Sequence, residues 1–129
     1  GEAYSGTGGL DDMAWHAGNS GGSHHRVGTK QAIQFGLHDM HGNVWEWCED
    51  SENLGFYETS AAARPDPVST AVSGYRRLRG GNFNCIPLYC RSASRTNGGL
   101  TMRDANVGFR PAMDLSLIAL TRLQDSRTR

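Results

Sequence analysis

The sequence predicts a small α+β domain with low regular secondary structure. Three observations carry that expectation. The chain has 129 residues, which is room for one hydrophobic core over residues 1–129 and not for two. Glycine supplies 17 of them, more than helix interiors tolerate, so turns and loops must dominate. The apolar stretches are short and separated by turn-forming residues, which gives short strands rather than long helices.

Element by element, Leu10–Trp15 fits a short turn or helix with Asp11 or Asp12 as its cap. Gly18–Ser23 is a loop by composition, and Val27–Thr29 starts a short strand. Phe35 and Leu37 read as an extended entry to the turn His41-Gly42-Asn43. Val44, Trp45 and Trp47 follow as a buried segment, an anchor for the fold. Arg64-Pro65-Asp66-Pro67 forbids a helix, so residues 51–75 are an exposed connection. Tyr75–Leu78 resumes a strand that runs into Arg79-Gly80-Gly81, and residues 82–101 show no period. Val107–Arg110 is a strand, and Leu115–Leu123 has the apolar spacing of an amphipathic terminal helix.

Charge and cysteine content exclude several function classes. Lys and Arg number 13, as do Asp and Glu, so the chain as a whole does not attract nucleic acid or an anionic membrane surface. No apolar run has the length of a membrane span, and no basic-then-apolar leader pattern opens the sequence. Cys48, Cys85 and Cys90 are too few for a disulfide scaffold, and no C-x-x-C pair or zinc spacing of histidines accompanies them. His16, His24, His25, His38 and His41 form no triad spacing with a serine and a carboxylate, so solvated loop side chains are expected for most of them. Arg91, Arg95 and Arg110 are expected to support carboxylates or backbone rather than bind phosphate.

Three blocks in order extend this reading: Gly36-Leu37-His38-Asp39-Met40-His41-Gly42-Asn43-Val44-Trp45-Glu46-Trp47, then Leu78-Arg79-Gly80-Gly81-Asn82-Phe83, then Cys90–Arg95 followed by Asn106–Arg110. With Leu10–Trp15 and Asn19–Gly22 upstream, they resemble the formylglycine-generating enzyme (sulfatase-modifying factor) family over about residues 4–112. The resemblance implies a variant of the C-type lectin-like fold, with Trp45, Trp47, Leu78 and Phe109 at its centre. Domains of that family carry a further amino-terminal part ahead of the segment matching Tyr4. The expectation is therefore a fragment, half of a nicked domain, or a compact version.

Two functions follow from the resemblance. In the family's oxygen-using enzymes a cysteine pair spaced like Cys85 and Cys90 holds copper, and two soft thiolates suit Cu(I). That reading gives a copper-dependent oxidase converting a sulfatase cysteine to formylglycine. The neighbourhood departs from the enzymes: Asn82 stands where they have serine, Ile86 where they have histidine, and Cys90 runs directly into Arg91-Ser92-Ala93 without their Arg- and Tyr-rich insertion. The preferred reading is a binding module like the variable proteins of diversity-generating retroelements. Adenine-directed mutagenesis of asparagine-type codons cannot yield Lys, Glu, Gln, Met or Trp, and residues 82–101 contain none of them. The expected contact surface is Phe83, Asn84, Cys85, Ile86, Leu88, Tyr89, Ser94, Thr96 and Asn97, on one exposed face, taking a protein or other macromolecular ligand. No cofactor is needed for that role. The resemblance also implies structural calcium near Asn43, the Val44 carbonyl and Glu46, against the alternative that Glu46 pairs with Arg79 or Arg110.

Overall fold

The computed structural model describes residues 3–112. The Leu115–Leu123 helix expected from the sequence lies outside them. One four-stranded mixed sheet organises the chain. Its strands are β1 (Trp45–Ser51), β2 (Tyr75–Arg79), β3 (Arg95–Gly99) and β4 (Val107–Gly108), in the order β3-β2-β1-β4. β1 and β2 pair antiparallel, as do β2 and β3, while β4 lies parallel to β1 at the edge. A single short helix, α1 (Leu10–Met13), precedes the sheet, and three 3-10 turns punctuate the loops at Phe56–Glu58, Ser60–Ala63 and Pro87–Cys90.

Local chemistry accounts for these elements. Asp12 accepts the Gly9 N–H at 3.1 Å and so closes the first turn of α1 from its third position. The 3-10 turns before Arg64-Pro65 end at Ala63, because the residue ahead of a proline is pushed to extended backbone. β3 has the sequence Arg-Thr-Asn-Gly-Gly, with no strand-like alternation. It forms because Gly98 lets the Trp47 ring lie on the sheet: a Cβ there would meet the ring at 2.4 Å.

The core is small and unusually polar. Met13, Ala14, Ile33, Phe56, Leu78, Phe83 and Cys90 are its apolar members. Among them sit His16, Ser20, Asp39, His41, Asn43 and Asn82, all buried. A fold made mostly of loops buries backbone groups with no ladder to satisfy them, so side chains must do so. His41 shows how. Ser5 donates its backbone N–H to His41 Nε2 at 2.9 Å, which fixes the proton on Nδ1, and Nδ1–H donates to the Cys90 carbonyl at 2.8 Å.

Several expectations need correction. Phe109 is 79% exposed: β4 lies at the sheet edge and ends at Gly108, so Phe109 falls beyond the strand. Trp45 and Trp47 are half-buried, leaving Leu78 as the fully buried member of the expected set. Val27–Thr29 makes a turn and not a strand, because Gly28 adopts φ +75°. Phe35 is exposed in a turn before Gly36, and the histidines divide: His16 and His41 are buried and hydrogen-bonded rather than solvated.

Candidate functional site

Asn43 is the junction from which the site is built. It adopts φ +62°, a left-handed conformation that asparagine tolerates better than most residues. Its backbone N–H donates to the Trp15 carbonyl at 2.8 Å, and its own carbonyl accepts the Phe83 N–H at 2.8 Å. Its side-chain amide clasps residue 25 twice: Oδ1 accepts the His25 N–H at 2.9 Å and Nδ2 donates to the His25 carbonyl at 3.2 Å. One residue therefore joins the amino-terminal loops, the start of β1 and the segment after Gly80-Gly81.

That segment is pinned along its backbone. Ser20 Oγ donates to the Phe83 carbonyl at 2.8 Å, and Ala17 donates its N–H to the Cys85 carbonyl at 3.0 Å. The Tyr4 hydroxyl donates to the Pro87 carbonyl at 2.9 Å, His41 holds the Cys90 carbonyl, and Ser92 donates its N–H to the Ala3 carbonyl at 2.9 Å. The side chains of Ile86, Leu88 and Tyr89 nevertheless stay about half exposed, and Asn84 is exposed beside them. Ser94 Oγ reaches back to the Leu88 carbonyl at 3.1 Å, which ties the start of β3 to the same loop.

The nine expected contact residues do not all share that face. Phe83 is 5% exposed and belongs to the core, because its hydrogen bond to Asn43 turns it inward. Cys85, Ser94 and Thr96 are half-buried. Asn97 is committed within the sheet, where its amide accepts from Arg77 and donates to Glu52. The exposed apolar contact area is Ile86, Leu88 and Tyr89.

The two cysteines differ sharply from a poised thiolate pair. Burial, with a smaller contribution from the neighbouring Cys85 sulfur, raises the Cys90 thiol to about 12. Burial also raises Cys85, only partly offset by a hydrogen bond from the Asn82 backbone. Among the described residues, no basic side chain acts on either thiol to favour its ionised form. A copper ion bound by the pair would have to displace the proton of the fully buried Cys90.

A separate groove of about 620 Å³ opens on the other side of the Asn43 junction, walled by Val27, Leu37, Val44, Phe109 and Pro111. Glu46 lies in it, and Arg110 grips both its carboxylate oxygens at 2.8 and 2.9 Å. Asp39 lines the same groove at 8% exposure. Its Oδ2 accepts the Gly28 N–H at 2.7 Å, while its Oδ1 is buried with no partner. Of the expected calcium donors, Asn43 accepts the His25 N–H on its amide oxygen. The orphaned oxygen belongs to Asp39, which the sequence reading passed over. Glu46 is likewise committed, with both carboxylate oxygens on Arg110, so Asp39 Oδ1 is the carboxylate oxygen this groove leaves without a hydrogen bond. The sequence marks it only as an acidic residue just ahead of the His41-Gly42-Asn43 turn, where the structure holds it at φ +56°.

Comparison with known proteins agrees with this architecture. The chain is 39% identical over 84 residues to the formylglycine-generating enzyme of Thermomonospora curvata, covering 62% of this chain and 28% of that enzyme. It is 39% identical over 84 residues to the serine/threonine-protein kinase pkn1 of Chlamydia pneumoniae, covering 64% of this chain and 13% of the kinase. Among solved structures it resembles Treponema denticola variable protein 1, with a TM-score of 0.67 and 28% identity over 84% of this chain and 40% of that one. PvdO from Pseudomonas aeruginosa follows at a TM-score of 0.61 and 27% identity, over 83% of this chain and 38% of that one. The chain thus spans two fifths or less of each of these proteins. The Sulfatase-modifying factor enzyme 1-like domain matches residues 1–115, and the chain belongs to that family.

Proposed function

We propose that this chain is a binding module, displaying the side chains of residues 84–94 to a protein ligand from a fixed backbone. One observation carries the reading. The backbone of the loop is hydrogen-bonded to Asn43, Ala17, Ser20, Tyr4 and His41, while Ile86, Leu88 and Tyr89 project into solvent. The loop is anchored along its length and leaves three large apolar side chains exposed in four positions. Such an arrangement lets side chains change without moving the chain that carries them, and exposed aliphatic and aromatic groups on a rigid base are effective protein contacts.

The likeness to Treponema denticola variable protein 1 supports this reading, as does the restricted residue vocabulary of positions 82–101. The oxidase reading has the formylglycine-generating relatives behind it, yet it needs two accessible thiolates, and Cys90 is fully buried with its proton held to about 12. Specificity in the binding reading resides in the displayed side chains and not in the cysteines.

The test is substitution without destabilisation. Replacing Ile86, Leu88 and Tyr89 together by asparagine is expected to leave the thermal midpoint within a few degrees of the parent, because surface changes of this kind cost about 0.5 kcal/mol or less each. Phe83→Ala serves as the contrast and should cost about 3 kcal/mol or more as a core truncation. Cooperative unfolding lost in the triple variant would show that the three side chains are structural, and the display reading would fail.

A further inference from the structure

The sheet carries an arrangement that the display loop alone does not explain. Arg79 on β2 and Arg95 on β3 are direct cross-strand partners, so two guanidinium groups stand side by side on one face. Like charges placed directly opposite destabilise a sheet. No carboxylate relieves them: among the described residues the ion pairs are His16–Asp11, Arg77–Glu52 and Arg110–Glu46. The natural neutraliser would be Glu46, which pairs with Arg79 across β1, but Arg110 occupies both its oxygens.

Instead both arginines lean on Tyr57. Arg79 Nη2 donates to the Tyr57 hydroxyl at 3.4 Å, and the Arg95 guanidinium carbon lies 4.9 Å from the ring centre. Tyr57 is exposed, Arg95 is exposed, and a small cavity of about 120 Å³ opens beside Arg79 between Ser5, His41 and Ser92. Arg79 Nη1 also reaches the Ser92 carbonyl at 3.4 Å, and Ser94, next to Arg95, is bonded to Leu88. The arginine pair is therefore tied, through Ser92 and Ser94, to the loop that carries Ile86, Leu88 and Tyr89.

We propose that Arg79 and Arg95, with Tyr57 behind them, form a seat for a carboxylate side chain of the protein that this module binds. The inference rests on the display reading and names the chemistry of its partner: an apolar contact patch with an Asp or Glu at its edge. Guanidinium forks match carboxylates in two-point hydrogen bonding, and a single anion between them removes the mutual repulsion of both. The adjoining aliphatic and aromatic surface favours a protein over a phosphate polymer, which would leave Ile86 and Leu88 idle.

The probe is a fluorescently labelled peptide of alternating glutamate and phenylalanine, followed by anisotropy at low salt. A lysine–phenylalanine peptide and a single-stranded oligonucleotide are the comparisons. The chain is expected to bind the glutamate peptide in preference to both, with the Arg79 and Arg95 Nε–H resonances shifting on titration. Arg95→Glu should weaken binding by about tenfold or more. The same substitution removes a like-charge pair, so its thermal midpoint should equal or exceed the parent's, which shows that the variant folds. Tyr89→Ala should weaken binding through the apolar patch. Weakening by Tyr89→Ala with no effect of Arg95→Glu overturns the carboxylate seat and leaves the display reading standing. Binding insensitive to both substitutions, or no binding at all, overturns both. Tighter binding of the oligonucleotide also overturns the seat.

Discussion

Gly42→Ala is expected to abolish cooperative folding. Gly42 adopts φ +72°, where a Cβ costs about 1–2 kcal/mol. Conformation is the lesser part. A Cβ at this position would stand 2.1 Å from the Trp15 carbonyl oxygen, which is backbone and cannot rotate aside. The two segments touch there because Trp15 and Gly42 form a parallel bridge, and Asn43 donates its N–H to the same oxygen. Relieving the collision means parting the amino-terminal loops from the β1 turn, which also breaks the Asn43–Trp15 bond. The combined cost of about 4 kcal/mol or more rivals the whole stability of a small domain, roughly 5–15 kcal/mol. Gly36→Ala provides the control, with φ +74° and open space around its Cβ position. It should lose only the conformational part. Urea denaturation followed by tryptophan fluorescence checks both, and equal losses would mean that the Trp15 contact is not tight.

His41→Leu comes next in size. Leucine approximates the volume of the ring but makes neither of its hydrogen bonds. The Cys90 carbonyl would lose its partner in a buried site, at about 1–3 kcal/mol, and the Ser5 N–H would lose its own in a part-buried one at a smaller cost. The effect should be a fall of about 2–5 kcal/mol in unfolding free energy. The amino-terminal segment and the 3-10 turn at Pro87–Cys90 should also loosen together, since His41 is their shared tie. Hydrogen exchange at Ser5 and Ser92 reads that coupling. His24→Ala, at an exposed histidine, should change stability by about 0.5 kcal/mol or less. Comparable effects at the two histidines would contradict the hub role of His41.

What was readable in the residues, and what was not, follows the range of the forces involved. β1 and β2 were legible because Trp45, Trp47 and Leu78 are strand-favouring residues flanked by the turn signals Gly42-Asn43 and Gly80-Gly81. β3 was not, since Arg-Thr-Asn-Gly-Gly becomes a strand only when Trp47 covers Gly98. Phe83 and Ile86 look alike as apolar residues in one irregular segment. A backbone bond to Asn43 turns the first inward and nothing turns the second, so chain composition cannot separate them. Phe109 failed for a similar reason: its Gly-Phe-Arg surroundings suggest a core strand, but the strand ends at Gly108. The pairing of Glu46 with Arg110 was among the alternatives foreseen. The orphaned Asp39 oxygen, and the unrelieved Arg79–Arg95 pair, required knowing which elements meet.

Under the proposed display function, residues 84–94 vary while the scaffold beneath them holds. Sequencing the genomic DNA around the coding region tests it most directly. A near-identical repeat of the segment encoding residues 82–101 is expected close to a reverse transcriptase gene. The two copies should differ at adenine positions alone, with the differences concentrated on codons for exposed residues such as Asn84, Ile86, Leu88 and Tyr89. The codons for Asn43, Gly42 and Trp47 should lie outside the repeat. A coding region with no such repeat, or with substitutions spread evenly over buried and exposed positions, would contradict it.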